Sequence, residues 1–208
     1  MTTGGEGGMV TTDDRSLWLR MWSYKDHGKS WESVYEKRHP PGFRWVHESF
    51  GSNWRMLEVQ AVIGRIQLGR MSEWTARRTA IAERLAGALS AFPALRVPHP
   101  PAWATHAYYR LYAFVRPERL RADWSRDRII DALRDRGMPS FQGSCPEIYL
   151  EKAFDGTGWR PKSRLPVARE LGETSLAFLV HPTLTESEVA TMQQALVDVL
   201  SEACLGQG

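Results

Sequence analysis

Beyond about Met71 the sequence predicts a two-layer α/β domain, with helices packed over a small antiparallel sheet. Three observations predict it. Apolar residues recur at helical spacing over long stretches, "HAYYRLYAFV" and "TSLAFLV" have strand character, and the last stretch opens on a Thr185/Glu188 capping box. Elements of these kinds bury their apolar faces against one another in layers.

Taken in chain order, Gly8 to Thr12 reads as a short strand and Asp13 or Asp14 as the cap of a helix. Leu17, Trp18, Met21 and Trp22 give that helix one apolar face. From Tyr24 to Ser52 the strings "KDHGKS", "RHPPGF" and "FGSN" carry loop punctuation, and a loop this long inside a domain is usually functional. Val59, Val62, Ile63 and Ile66 make a helical stripe. After a break near Gly69, Trp74, Ile81, Leu85, Leu89 and Phe92 make a second, with arginines on the far side. "HAYYRLYAFV" alternates as a strand should. Ser125 caps the next helix, Trp124 and Ile129 form its hydrophobic staple, and Gly137 closes it. Met138 to Phe141 reads as a short strand, "CPEIYLEKAF" as a short helix, and "TSLAFLV" as a buried strand. The final helix carries Val189, Met192, Leu196, Val199 and Leu200 inward.

Composition narrows the class. With 42% hydrophobic and 25% charged residues among 208, the chain has the makeup of a folded globular protein. The longest apolar runs, such as Leu176 to Val180, are too short to cross a bilayer, so no membrane partner is expected. The net charge is +3, but 27 basic residues are interleaved with 24 acidic ones, as in "RDRIIDALRDR". That is a mixed solvated surface, and no nucleic-acid partner is expected. Cys145 and Cys204 lie far apart without C-x-x-C spacing, which argues against a disulfide framework or zinc site and for a reducing cytoplasm. Four of nine tryptophans fall between Trp18 and Trp45, a concentration suited to an interface or pocket.

The catalytic inventory is thin. There is no G-x-S-x-G, H-E-x-x-H or spaced Cys/His set. His27, His39 and His47 lie in the long loop without spaced partners. Cys145 in "GSCPEIY" reads as a buried small residue, or as a nucleophile whose base the sequence does not place. None of the five lysines, Lys25, Lys29, Lys37, Lys152 and Lys162, has an apolar setting that would depress its pKa for covalent work.

Two stretches add more. "TTGGEGGMVTTDD" resembles the segment after the Schiff-base lysine in the DegT/StrS family of pyridoxal-phosphate-dependent sugar aminotransferases, whose pattern there is about K-N-x-T-x-G-E-G-G-x-V-x-T-x-D. "FGSNWRMLEVQAVIGRIQLGRMSEWTARRTAIAERL" is similar to its G-x-N-x-R-[ML]-x-E-x-Q-A-A-[ILV]-G-x-x-Q-L motif. Asn53, Arg55, Glu58, Gln60, Ala61 and Gln67 match in order. "KDHGKS" looks like the family's H-G loop between the two motifs, and the remainder is similar to its C-terminal domain.

The resemblance implies the C-terminal part of a fold-type I, aspartate-aminotransferase-like transferase. Residues 1–55 would be a remnant of the large cofactor domain and an intersubunit loop, 56–92 interdomain helices, and 93–208 the small α/β domain. It implies pyridoxal 5'-phosphate as cofactor, a nucleotide-linked keto sugar as substrate and glutamate as the usual amino donor. Asn53 would donate across a dimer interface to the cofactor phosphate, or cap the helix near Leu57. Arg55 would add charge there or to the nucleotide sugar, or pair with Glu58. His27 and His181 would line the substrate pocket, or be ordinary loop residues. The resemblance also places the family's lysine upstream of Met1. The expectation is therefore a C-terminal half that is inactive alone and does not hold the cofactor covalently. It would act as a homodimer or beside a lysine-bearing full-length chain, with a first fifty residues that pack poorly or depend on a partner.

Overall fold

A computed structural model describes residues 4–143 and 145–205. The chain divides into two compact units between Met71 and Ser72.

In the first unit, Asp14 starts helix α1 (Arg15–Lys25) by accepting the Leu17 N–H at 3.0 Å. Ser30 starts the short α2 (Trp31–Tyr35) in the same way, through Ser33 N–H. The two helices meet through indoles: the Trp31 ring lies 4.9 Å from Trp18, 5.1 Å from Trp22 and 4.4 Å from Tyr35. Three of the four tryptophans of this stretch thus form a local aromatic cluster, while Trp45 meets Phe43 instead. α3 (Glu58–Gly69) carries the expected stripe, but Val59, Val62, Ile63 and Ile66 are 62%, 55%, 40% and 54% exposed. Among residues 4–71 only Asp26, Gly28, Ser33 and Val46 are buried.

Two sequence expectations need correction here. Gly8 to Thr12 forms no strand: the segment has no ladder partner among the described residues, and an isolated strand cannot satisfy its backbone. Tyr24 to Ser52 is not all loop, because it contains α2 and takes part in two isolated bridges, Asp26 to Asn53 and Lys29 to His47.

The second unit opens with α4 (Met71–Ser90), whose Ile81, Leu85 and Leu89 are buried. Strands β1 (Leu95–Arg96), β2 (Leu111–Val115), β3 (Ser140–Phe141) and β4 (Ser175–Phe178) form an antiparallel sheet in the order β1-β2-β4-β3. β2 alternates buried and half-buried residues, as a strand with one core face should. β4 is buried at all four positions, which explains its unbroken apolar run. α5 (Arg126–Asp135), capped by Ser125, and α7 (Glu186–Ala203), capped by the Thr185/Glu188 box, join α4 over the core face. Trp124 packs against that core and Gly137 closes α5 at φ +75°. One helix, α6 (Pro166–Thr174), was not expected from the sequence; it lies along β2 beside the half-buried Phe114. "CPEIYLEKAF" makes two 3-10 turns, Ile148–Leu150 and Lys152–Phe154, rather than one helix. Arginines tie the layers: Arg84 reaches Glu186 at 3.1 Å and Gln193 at 2.7 Å, and Arg126 donates to the carbonyls of Gly172 and Ser175 at 3.0 and 2.9 Å.

Candidate functional site

Residues 24–29 and 48–54 cross each other in the first unit. Ser52 N–H donates to Tyr24 O at 2.7 Å, His27 N–H to Ser52 O at 3.0 Å, Trp54 N–H to Lys25 O at 2.9 Å, and Glu48 N–H to Gly28 O at 2.9 Å. The reversal needs left-handed backbone at His27 (φ +62°) and Gly28 (φ +82°). A Cβ on Gly28 would lie 1.7 Å from Ser49 O, and one on Gly51 would lie 2.4 Å from Gly28 N. The two glycines let one stretch of backbone pass against the other.

That crossing gathers three of the four sequence-predicted site residues. Arg55 Nε donates to Asn53 Oδ1 at 3.0 Å, and Arg55 Nη2 donates to His27 Nε2 at 3.2 Å. Because guanidinium nitrogens only donate, the atom of Asn53 facing Arg55 is its oxygen, and His27 Nε2 is a lone pair with the ring proton on Nδ1. The Asn53 amide NH2 therefore has no protein acceptor among the described residues, and Asn53 is exposed. Asp26 anchors the cluster. It accepts from Lys29 Nζ at 3.2 Å, with Arg55 Nε at 3.8 Å and Lys25 Nζ at 3.9 Å. Burial alone would raise its carboxyl pKa. The Lys29 hydrogen bond and the charges of Lys29, Lys25 and Arg55 outweigh that and hold it below its ordinary value.

The two structural alternatives for these residues do not occur. Leu57, not Asn53, is the N-cap residue of α3, and its N–H donates to the Gln60 side chain at 3.2 Å. Arg55 pairs with Asp26 rather than Glu58. Gln60 does more: its Nε2 donates to Glu6 O at 2.7 Å, so the G-G-E-G-G turn is pinned to the first turn of α3. Sequence reasoning missed Asp26 and Gln60 as organisers. Lysines on both sides of Asp26 within "KDHGKS" were the available signal for the first.

The other candidates lie elsewhere. His181, in the second unit, shares a hydrogen bond of 2.7 Å with Thr183 Oγ1 in the turn before α7. Cys145 is exposed, not a buried small residue. Lys25 and Lys29 are committed to Asp26, Lys37 pairs with Glu32 at 3.4 Å, and Lys152 and Lys162 are exposed on the second unit.

A second charged cluster holds the segment after Cys145. Glu147, 8% exposed, accepts Arg164 Nε at 3.0 Å, Arg164 Nη2, and the Tyr149 hydroxyl at 2.6 Å. Tyr149 in turn accepts the Leu165 N–H at 2.8 Å. The hydrogen bonds from Arg164 and then Tyr149, against the opposing effect of burial, bring the Glu147 carboxyl from 4.5 down to about 2. A depressed carboxylate contributes stability that is complete above 4.5 and is lost as the pH falls toward about 2. Amides of 145–165 are therefore expected to exchange faster at pH 3 than pH-corrected rates at pH 7 predict. Arg164→Met, which removes the largest cause of the depression, should loosen the segment already at pH 7 and reduce the difference between the two pH values. Equal protection at both pH values in the parent would contradict the account.

Residues 1–197 match a family model described as the DegT/DnrJ/EryC1/StrS aminotransferase family. The erythromycin biosynthesis sensory transduction protein EryC1 of Saccharopolyspora erythraea is 29% identical over 181 residues, covering 87% of this chain and 44% of that protein. The dTDP-3-amino-3,4,6-trideoxy-alpha-D-glucose transaminase of Streptomyces venezuelae is 27% identical over 192 residues, covering 92% of this chain and 45% of its own. Among solved structures, an aminotransferase from Psychrobacter cryohalolentis matches with a TM-score of 0.92 at 58% identity, over 97% of this chain and 53% of that one. The chain spans about half the length of the curated relatives it matches.

Proposed function

We propose, for a chain that belongs to the DegT/DnrJ/EryC1/StrS aminotransferase family, that it supplies the Asn53-bearing side of a site where a nucleotide-linked keto sugar is aminated, with glutamate as donor. The observation that carries this reading is the locked amide of Asn53. Arg55 takes its oxygen at 3.0 Å and leaves its NH2 without a protein acceptor among the described residues. A fixed amide donor beside a guanidinium suits the phosphate end of pyridoxal 5'-phosphate, a dianion that favours directional donors. When bound, that cofactor supplies the carrier and electron sink for the amino group.

The residues of this chain then have distinct tasks. Asn53 donates to the phosphate, and Arg55 holds the amide while adding positive charge. Asp26 fixes Arg55 and Lys29, and His27, neutral with its proton on Nδ1, serves the sugar as a donor. His181 serves substrate binding from its own turn before α7. No described lysine is free beside Asn53 to hold the cofactor covalently, because Lys25 and Lys29 are both committed to Asp26. In this reading a lysine-bearing partner supplies that group, and these 208 residues by themselves are inactive. The exposure of Trp45 (84%), Phe50 (101%), Trp54 (68%) and the α3 stripe supports work against further polypeptide, as a homodimer or beside a lysine-bearing chain. A cytoplasmic setting fits this chemistry, and no described helix is long and apolar enough to cross a membrane. The test is the affinity of Asn53→Ala for the phosphorylated and the unphosphorylated cofactor. A selective loss of the phosphorylated form supports the reading, and an equal loss of both overturns it.

A further inference from the structure

Arg78 on α4 is a buried cation with no compensating acid among the described residues. It is 6% exposed, its Nη1 reaches the Tyr108 carbonyl at a long 3.3 Å, and its Nε is buried with no hydrogen-bond partner. Among the described residues no carboxylate pairs with it. Burial pushes its guanidinium down from its ordinary value, with only the Tyr109 phenol acting against that. A charge removed from water in this way is stable only with good compensation.

The segment it holds is strained and cationic. Tyr108 has φ +44°, an unusual backbone state for a bulky residue, and its N–H donates to His106 Nδ1 at 3.0 Å. Tyr109, next along, is 59% exposed. On its other side the Arg110 guanidinium lies 5.6 Å from the Tyr109 ring and 4.6 Å from that of Phe141, and it too has no carboxylate partner among the described residues. One guanidinium therefore meets the carbonyl just before the exposed Tyr109 and the other lies beside its ring, neither with a carboxylate partner among the described residues. Many other arginines of the unit do have acid partners, Arg84, Arg126, Arg136 and Arg164 among them.

We infer that Arg78, Tyr109 and Arg110 form a binding site for a small oxyanion, a carboxylate or a phosphate, at the turn that leads into β2. The anion takes the place of the missing carboxylate, accepting from the guanidinium edges and the phenol. All three residues lie in the second unit, and the inference does not rest on the aminotransferase reading.

The experiment is a calorimetric titration of the whole chain with inorganic phosphate and, separately, with succinate, at constant ionic strength. Saturable binding of one or both is expected, and the better ligand identifies the oxyanion class. Arg78→Lys and Arg110→Met should each weaken it about tenfold or more, the size expected from losing a charge-assisted contact. Arg96→Met is the control, because Arg96 stacks on Phe114 at 4.2 Å away from this turn, and it should bind as the parent does. Arg110→Met carries the test should the buried Arg78 variant fail to fold. Absence of binding by both anions, unchanged binding in Arg110→Met, or an equal loss in Arg96→Met would each overturn the proposal.

Discussion

Gly28→Ala is expected to open the crossing that builds the Asn53 cluster. The new Cβ would lie 1.7 Å from Ser49 O and 2.5 Å from its carbonyl carbon, both backbone atoms that cannot rotate away. The residue would also have to hold φ +82°, where an L side chain is strained. Relief requires residues 24–29 to part from 48–54, with loss of the backbone bonds that fix His27, Asn53 and Arg55. The cost is on the order of 3 kcal/mol or more, at the severe end for a point substitution. Limited proteolysis and hydrogen exchange should show early cleavage and lost protection across 24–54 in the variant. Gly87→Ala is the matched control, since nothing lies within 4 Å of the place its methyl would take and α4 gains about 1 kcal/mol of helix propensity. Parent-like protection in Gly28→Ala would contradict the tight crossing.

Phe178→Ala is expected to destabilise the second unit by about 3–5 kcal/mol. Phe178 ends β4, faces Leu111 of β2 and Ser140 of β3, and has no exposed surface. Its removal leaves a cavity lined by neighbours on several elements, and a central strand between two others has little freedom to collapse into it. Urea unfolding followed by far-UV circular dichroism should show a lower midpoint with an unchanged slope. A loss below about 1 kcal/mol would mean that the strand is less enclosed than its burial indicates.

The elements that could be read from sequence are those whose signals are local. The capping box of α7, the Ser125 cap and the stripe Ile81, Leu85, Leu89 each specify their own structure within a few turns. α6 did carry local signals, a proline at its first position and a strongly amphipathic face, and these went unread. The Gly8 to Thr12 stretch shows the converse: its residues favour a strand, but a strand needs a neighbour and none is present among the described residues. At the site, Asn53 and Arg55 were found through motif spacing, and His27 through the H-G pair. The Arg55–His27 hydrogen bond was not legible, because it depends on a crossing between residues 28 apart in the chain. Asp26 was missed for the same reason, since one carboxylate among several in a loop gains meaning only when three cations converge on it. The exposure of the α3 stripe was also beyond reach, as periodicity reports an apolar face without saying what covers it.

The central claim is that the Asn53 amide, locked by Arg55, receives the cofactor's phosphate. The most direct measurement uses a fusion that joins this chain to the part of the Psychrobacter cryohalolentis aminotransferase outside the match, purified as parent and as Asn53→Ala. Equilibrium dialysis then gives the affinity of each for pyridoxal 5'-phosphate and for pyridoxal, which lacks the phosphate. The account predicts that Asn53→Ala weakens pyridoxal 5'-phosphate about tenfold or more while leaving pyridoxal unchanged, the signature of a lost donor to a charged acceptor. Equal affinities of parent and variant for the phosphorylated form, or an equal loss for both forms, would contradict it.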